Sequence, residues 1–159
     1  MLYSTFKLGN TFVGVPITSI LEIPRSSVFH SVRGAPPVID GLINLRGKII
    51  TVINLGLAFG LEKVEASEES RIYIFKNDAE FKEVADSDQE LKLSEDNIGL
   101  HVERIAGVIS VKEKELQPIP KNMVHPYYES VVRKDDDFII ILKLSKILNL
   151  EQDSGEFHE

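Results

Sequence analysis

Gly41-Leu42-Ile43-Asn44-Leu45-Arg46-Gly47-Lys48-Ile49-Ile50-Thr51-Val52-Ile53 is the stretch on which the fold turns. Two apolar, β-branched runs flank an Arg-Gly pair. The pattern predicts a strand over Gly41–Leu45, a tight turn at Arg46-Gly47 and a second strand over Lys48–Ile53. Gly47 supplies a backbone conformation that a Cβ would penalise, and Gly41 and Gly34 are candidates for the same role. A short helix over Leu55–Phe59 follows from apolar spacing of three and four.

Outward from this hairpin, the other hydrophobic runs are equally short. Gly9-Asn10 joins Tyr3–Leu8 to Thr11–Val15, and Asp135-Asp136 joins Ser130–Lys134 to Phe138–Leu142. Ile72–Phe75 is a further strand, and short helices fit Ile17–Glu22 and Leu144–Leu148. Several runs lie about ten residues apart, the spacing of an all-β barrel or sandwich. The chain also repeats itself. Val13–Ile20 aligns with Ile98–Ile105 at an offset of 85, and Ile50–Leu55 aligns with Ile139–Leu144 at an offset of 89. Two copies indicate a duplicated small barrel rather than a solenoid.

With 159 residues, 43% hydrophobic and 27% charged, the composition is that of one soluble globular domain. The absence of Cys excludes disulfides, thiol nucleophiles and Cys-based zinc sites. No apolar run is long enough to span a membrane, and Met1-Leu2-Tyr3-Ser4 lacks the layout of a signal peptide, so the expected home is the cytoplasm, without membrane insertion. The net charge of −7 is unevenly placed: residues 77–96 carry −6, residues 151–159 carry −4, and the remainder carries +3. Without a basic cluster, nucleic acid is a poor partner. The polar segment 77–96 reads as a mobile acidic loop, with Phe81 and Val84 able to edge one helical turn at most.

Motifs for chemistry are weak. Gly41 and Gly47 enclose five residues where a phosphate loop needs four, and Ile49 stands where it needs Ser or Thr. His30, His101, His125 and His158 lack metal-ligand spacing, and His101 reads as a structural histidine in a strand. Asp135-Asp136-Asp137 lacks the spaced calcium-loop pattern and reads as a turn. No Gly-x-Ser-x-Gly elbow occurs. The reading assigns no catalytic, cofactor-binding or metal residue and calls for no cofactor.

The run Gly41-x-x-Asn44-Leu45-Arg46-Gly47 and its following strand resemble the CheW family of chemotaxis coupling proteins. Phe6-x-Leu8-Gly9, Gly14-Val15 through Glu22-Ile23, Val102–Ile109 and Gln117-Pro118-Ile119-Pro120 fit the same family, so the resemblance covers about residues 3–150. It implies an all-β fold with short helices: two intimately packed SH3-like five-stranded β-barrels within a single domain 1–150. The first lobe is expected over roughly 1–66 and the second over 70–150, with strands able to cross between them. Segment 77–96 would be an inserted loop and 151–159 an acidic tail.

The resemblance also implies a scaffold without catalysis. Its partners would be the regulatory domain of the histidine kinase CheA and the cytoplasmic tip of chemoreceptors. Glu22 matches the acid that pairs with the motif arginine, here Arg46. Buried, such a pair is worth ~3–5 kcal/mol when broken; exposed, about 0–1. Arg46 could instead touch a partner directly. Ile20, Ile49 and Ile105 are candidates for an interlobe groove that takes a receptor helix, with ordinary core packing as the alternative. Phe29, Arg33 and Pro36, in the long segment Pro24–Pro37, are candidates for kinase contact or plain loop. Two rival functions stand beside this: a divergent CheW-like scaffold for another receptor-kinase array, and a small hydrolase with a spatially assembled site.

Overall fold

The computed structural model describes residues 1–25, 29–84 and 91–150. Among these described residues, ten strands and three short α-helices follow one another. β1 (Leu2–Leu8), β2 (Thr11–Pro16), β3 (Ile20–Glu22), β4 (Ile39–Leu45) and β5 (Lys48–Asn54) precede α1 (Leu55–Ala58). β6 (Arg71–Phe75), α2 (Asp78–Val84), β7 (Ile98–Val102), β8 (Arg104–Ser110), β9 (Tyr128–Lys134), β10 (Asp137–Leu142) and α3 (Leu144–Ile147) complete the order.

Two five-stranded sheets result, ordered β8-β1-β2-β10-β9 and β3-β6-β7-β5-β4. Read in parallel, the orders match strand for strand: β1 with β6, β2 with β7, β3 with β8, β4 with β9, β5 with β10. The duplication legible in the sequence is therefore present in the topology. It holds at single residues. Gly14 sits opposite Ile141 in the parallel β2–β10 pair, and Gly99 opposite Val52 in the parallel β7–β5 pair. A Cβ on Gly14 would meet Ile141 at 3.2 Å, and one on Gly99 would meet Ile72 at 2.8 Å and Val52 at 3.3 Å. Each glycine leaves room for the branched side chains that fill its sheet.

Strands cross between the lobes expected over roughly 1–66 and 70–150. Strands β1 and β2 join β8, β9 and β10, while β3, β4 and β5 join β6 and β7. Each repeat gives two strands to one sheet and three to the other. The reason lies in the parallel β2–β10 and β5–β7 pairs: strands of like direction cannot be joined by a tight turn, so the pairing partners come from distant chain.

Each sheet curls around its own small core without closing into a hydrogen-bonded barrel. Tyr3, Val111, Val132, Ile139 and Ile141 fill one, and Ile43, Ile50, Val52, Ile72 and Ile74 fill the other. A single bridge reaches the far edge strand in each case, Gln117 to Val131 on β9 and His30 to Leu42 on β4. Between the sheets lies a larger shared core that includes Phe6, Val15, Ile53, Leu55, Phe75, Leu100, Leu142 and Leu144. The Tyr73 and Ser4 hydroxyls meet there at 2.6 Å, joining β6 to β1. Burial of Tyr73 raises its phenol above the ordinary range, an effect the Ser4 bond partly offsets.

Two expectations need correction. Residues Ile17–Glu22 do not form one helix: a single 3-10 turn over Ile17–Ser19 gives way to β3, because Ile20 and Glu22 pair with Phe75 and Ile74 of β6. Segment 77–96 is not a free loop in its described parts. Asn77 Oδ1 accepts the Glu80 N–H and Glu80 Oε1 accepts the Asn77 N–H, a reciprocal cap for α2. Phe81 and Leu93 are buried in the shared core. Asp78 Oδ1 accepts the Leu93 N–H at 2.8 Å, and Asn149 donates to the Leu93 carbonyl at 2.9 Å. Apolar anchors twelve positions apart are thus stitched to the body. Residues 85–90 of that segment, and the tail 151–159, lie outside the described residues.

Candidate functional site

The Arg46-Gly47 turn has the geometry its sequence demands. Leu45 pairs with Lys48 across a two-residue loop in which both central residues have positive φ, 52° at Arg46 and 85° at Gly47. Such a turn matches the twist of its strands. Asn44 Oδ1 accepts the Gly47 N–H at 3.0 Å and fixes the loop. Gly41 has φ of 143°, and a Cβ there would lie 2.6 Å from the His30 carbonyl oxygen. It therefore admits the segment that caps the edge of β4.

Arg46 Nη2 lies 3.4 Å from Glu22 Oε2. Glu22 is on β3 and Arg46 follows β4, and these are the two edge strands of one sheet. The pair therefore spans the open seam of that sheet's curl. Arg46 is 82% exposed and Glu22 27% exposed, so water screens the contact and leaves the arginine available to a partner.

The three isoleucines do not meet. Ile20 packs against the shared core. Ile49 is 73% exposed at the start of β5. Ile105 is 42% exposed on β8, in a shallow cleft with Glu69, Arg71 and Arg104. The β5–β7 register sets Thr51 beside Ile98. That places Ile49 and Val102 about 20 Å apart along the strands. Ile105, three residues past Val102, can recover only ~10 Å of that distance. Among the kinase-contact candidates, Phe29 turns inward and its ring lies 5.2 Å from that of His101. Arg33 is exposed and Pro36 half-buried. Phe29 thus serves as a lid on the small core of β4–β7, and Arg33 alone offers a free side chain.

The structure adds two features that the sequence reading did not single out. The first is a buried polar network. The β4 register shifts between Ile39 and Gly41, so Asp40 is the extra residue of a bulge. Its carboxylate meets His101 Nδ1 at 2.7 Å, with the side chains only 4% and 1% exposed. Asn54, fully buried between them, donates to Asp40 and to the Val64 carbonyl and accepts from Leu57 and Val64 N–H groups. His101 Nε2 has no partner among the described residues. This His–Asp pair is sealed in the fold, not displayed in a cleft.

The second feature is a pair of equivalent hairpins. Ile49 and Phe138 occupy the same position in the two repeats and are 73% and 63% exposed. The β4–β5 tip carries Arg46 and Lys48; the β9–β10 tip carries Asp135, Asp136 and Asp137. Each hairpin thus presents one outward apolar side chain beside a charged tip. Among the described residues, no group of three His, Asp or Glu is placed to hold a metal ion.

Fold and surface together define a two-lobed β-protein whose distinctive residues lie on turns and edges. The chain belongs to the CheW-like domain family, which matches residues 3–152. A curated Chemotaxis protein CheW from Treponema pallidum (strain Nichols) is 28% identical over 93% of this chain and 82% of its own length. Chemotaxis protein CheW from Helicobacter pylori (strain ATCC 700392 / 26695) is 23% identical over 90% of this chain and 78% of its own. The crystal structure of the scaffolding protein TtCheW from Thermoanaerobacter tengcongensis superimposes with a TM-score of 0.74 at 30% identity, over 90% of this chain and 88% of that one.

Proposed function

We propose that the protein is a non-enzymatic coupling scaffold of chemotaxis signalling, holding chemoreceptors and a histidine kinase in one assembly. The observation that carries this reading is the shared reciprocal two-lobed fold, at 30% identity, with a scaffolding protein over nearly the whole of both chains. On this reading the kinase partner is the regulatory domain of CheA and the receptor partner is the cytoplasmic tip. The work is geometric: rigid edges set the spacing of partners. Ile49 and Phe138, rather than an interlobe groove lined by three isoleucines, are the apolar contacts that the exposed hairpins offer to a barrel-shaped partner. Ile105, beside Arg104 in the cleft between the sheets, is the residue we assign to the receptor. A cytoplasmic location follows from these partners; among the described residues no helix is long and apolar enough to cross a membrane.

Calorimetry with a cognate kinase regulatory domain tests the reading. Saturable binding that weakens at least tenfold in Ile49→Asp or Phe138→Asp supports it. Absence of binding to every cognate kinase refutes it.

A further inference from the structure

Away from the hairpin tips, the sheet built on β1, β2 and β8–β10 opens into a cavity of about 680 Å³. That is the size of a small-molecule site, for which roughly 300–1,000 Å³ is usual. Its floor is apolar: Tyr3, Val111 and Ile141 belong to the core inside this sheet's curl, and Leu116 packs against them. One wall is unusual. Phe81, Leu91 and Lys92 come from the acidic segment 77–96, which stands apart in composition from the rest of the chain.

The mouth carries one more cationic than anionic side chain. Lys92, Lys112 and Lys143 line it against Glu113 and Glu129. None of these three ammonium groups takes part in any of the four ion pairs among the described residues. The Glu129 carboxylate is close enough to act on Tyr3. Burial first, and then that carboxylate, raise the Tyr3 phenol above its ordinary range, which keeps it neutral. The cavity thus combines an apolar floor with three lysines against two glutamates at its rim, Lys112 acting also on the nearby Glu115 carboxylate.

We propose that this cavity binds a small amphipathic anion, a carboxylate with an unbranched or aromatic body, the body lying on Tyr3, Val111, Leu116 and Ile141 and the head among Lys92, Lys112 and Lys143. The lysines are exposed, so each contact is individually weak and salt-sensitive. The apolar body supplies most of the affinity, and the rim selects the sign of the head group.

The test uses the full chain, with decanoate and decylammonium as probes below their micellar concentrations. They share an apolar body and differ in charge. Calorimetry should show one saturable site for decanoate, with decylammonium at least tenfold weaker. Lys112→Glu with Lys143→Glu, both at exposed positions, should cost at least tenfold in decanoate affinity while leaving the thermal unfolding midpoint in place. Ser145→Trp, on α3 at the cavity edge, should abolish binding by filling the space. Unsaturable decanoate binding, equal affinity for the two probes, or unchanged affinity in the double lysine variant would each overturn the proposal. Neither kinase nor receptor is present, so the outcome is independent of the coupling role.

Discussion

At the scale of the residue, exposure separates two ionic contacts that look alike on paper. Arg46 and Glu22 are 3.4 Å apart but largely in water. Arg46→Ala should therefore change stability by only about 0–1 kcal/mol, and a double-mutant cycle with Glu22→Ala should give a coupling no larger. Urea unfolding reads both, and a loss above ~2 kcal/mol would show a tighter seam than the geometry allows. Asp40 and His101 are the opposite case, sealed at 4% and 1% exposure. Asp40→Ala leaves His101 Nδ1 buried without its acceptor, and should cost at least about 1–3 kcal/mol in the same measurement. The Arg46 turn was legible because its chemistry is local: an Asn three residues before a Gly, between two apolar runs. The Asp40–His101 contact was not, because a bulge aims Asp40 across a neighbouring strand, and no periodicity reports a bulge.

At the scale of the element, α2 and the residues after it show how composition can mislead. Acidic residues dominate segment 77–96, and they hide the two side chains that matter, Phe81 and Leu93. Phe81→Ala should cost about 3–5 kcal/mol, as for a core phenylalanine, where a solvated loop residue would stay within about 0.5. Thermal and urea unfolding distinguish the two. Glu80 adds a pH dependence. Its partial burial pushes the carboxyl up, but bonds from the Asn77 N–H and the Asn97 amide, with Lys48 and Lys76 nearby, outweigh this and hold it below the ordinary range. A lowered native value adds stability above the unfolded value, and that stability is lost as pH falls through the native value. Glu80→Gln should therefore destabilise at neutral pH, and the difference from the parent chain should shrink as pH drops below about 4.3. A difference constant across that range would refute the assignment. Hairpins and two of the three expected helices were readable from turn residues and spacing. β3 was not: three residues carry too little pattern, and only pairing with β6 makes them a strand.

At the scale of the whole molecule, the duplication was legible as two matched segments; strand crossing between lobes was expected from the family resemblance, but which strands cross was not. Parallel register between β2 and β10, and between β5 and β7, is a relation between distant residues that no local signal encodes. The shared core couples both sheets, so unfolding should be a single transition, coincident by circular dichroism and by tyrosine fluorescence. Fragments 1–66 and 67–150 should each lack a cooperative transition, and mixing them should restore one; a half that melts cooperatively alone would contradict the exchange. The exchange also orders the birth of the protein. As the chain leaves the ribosome, the sheet holding β3 to β7 has its last strand at Val102, while the other waits for β10, which ends at Leu142. One lobe can therefore assemble before the other: β1 gains its second neighbour with β8, while the outer edge of β2 stays unpaired until β10 has been made.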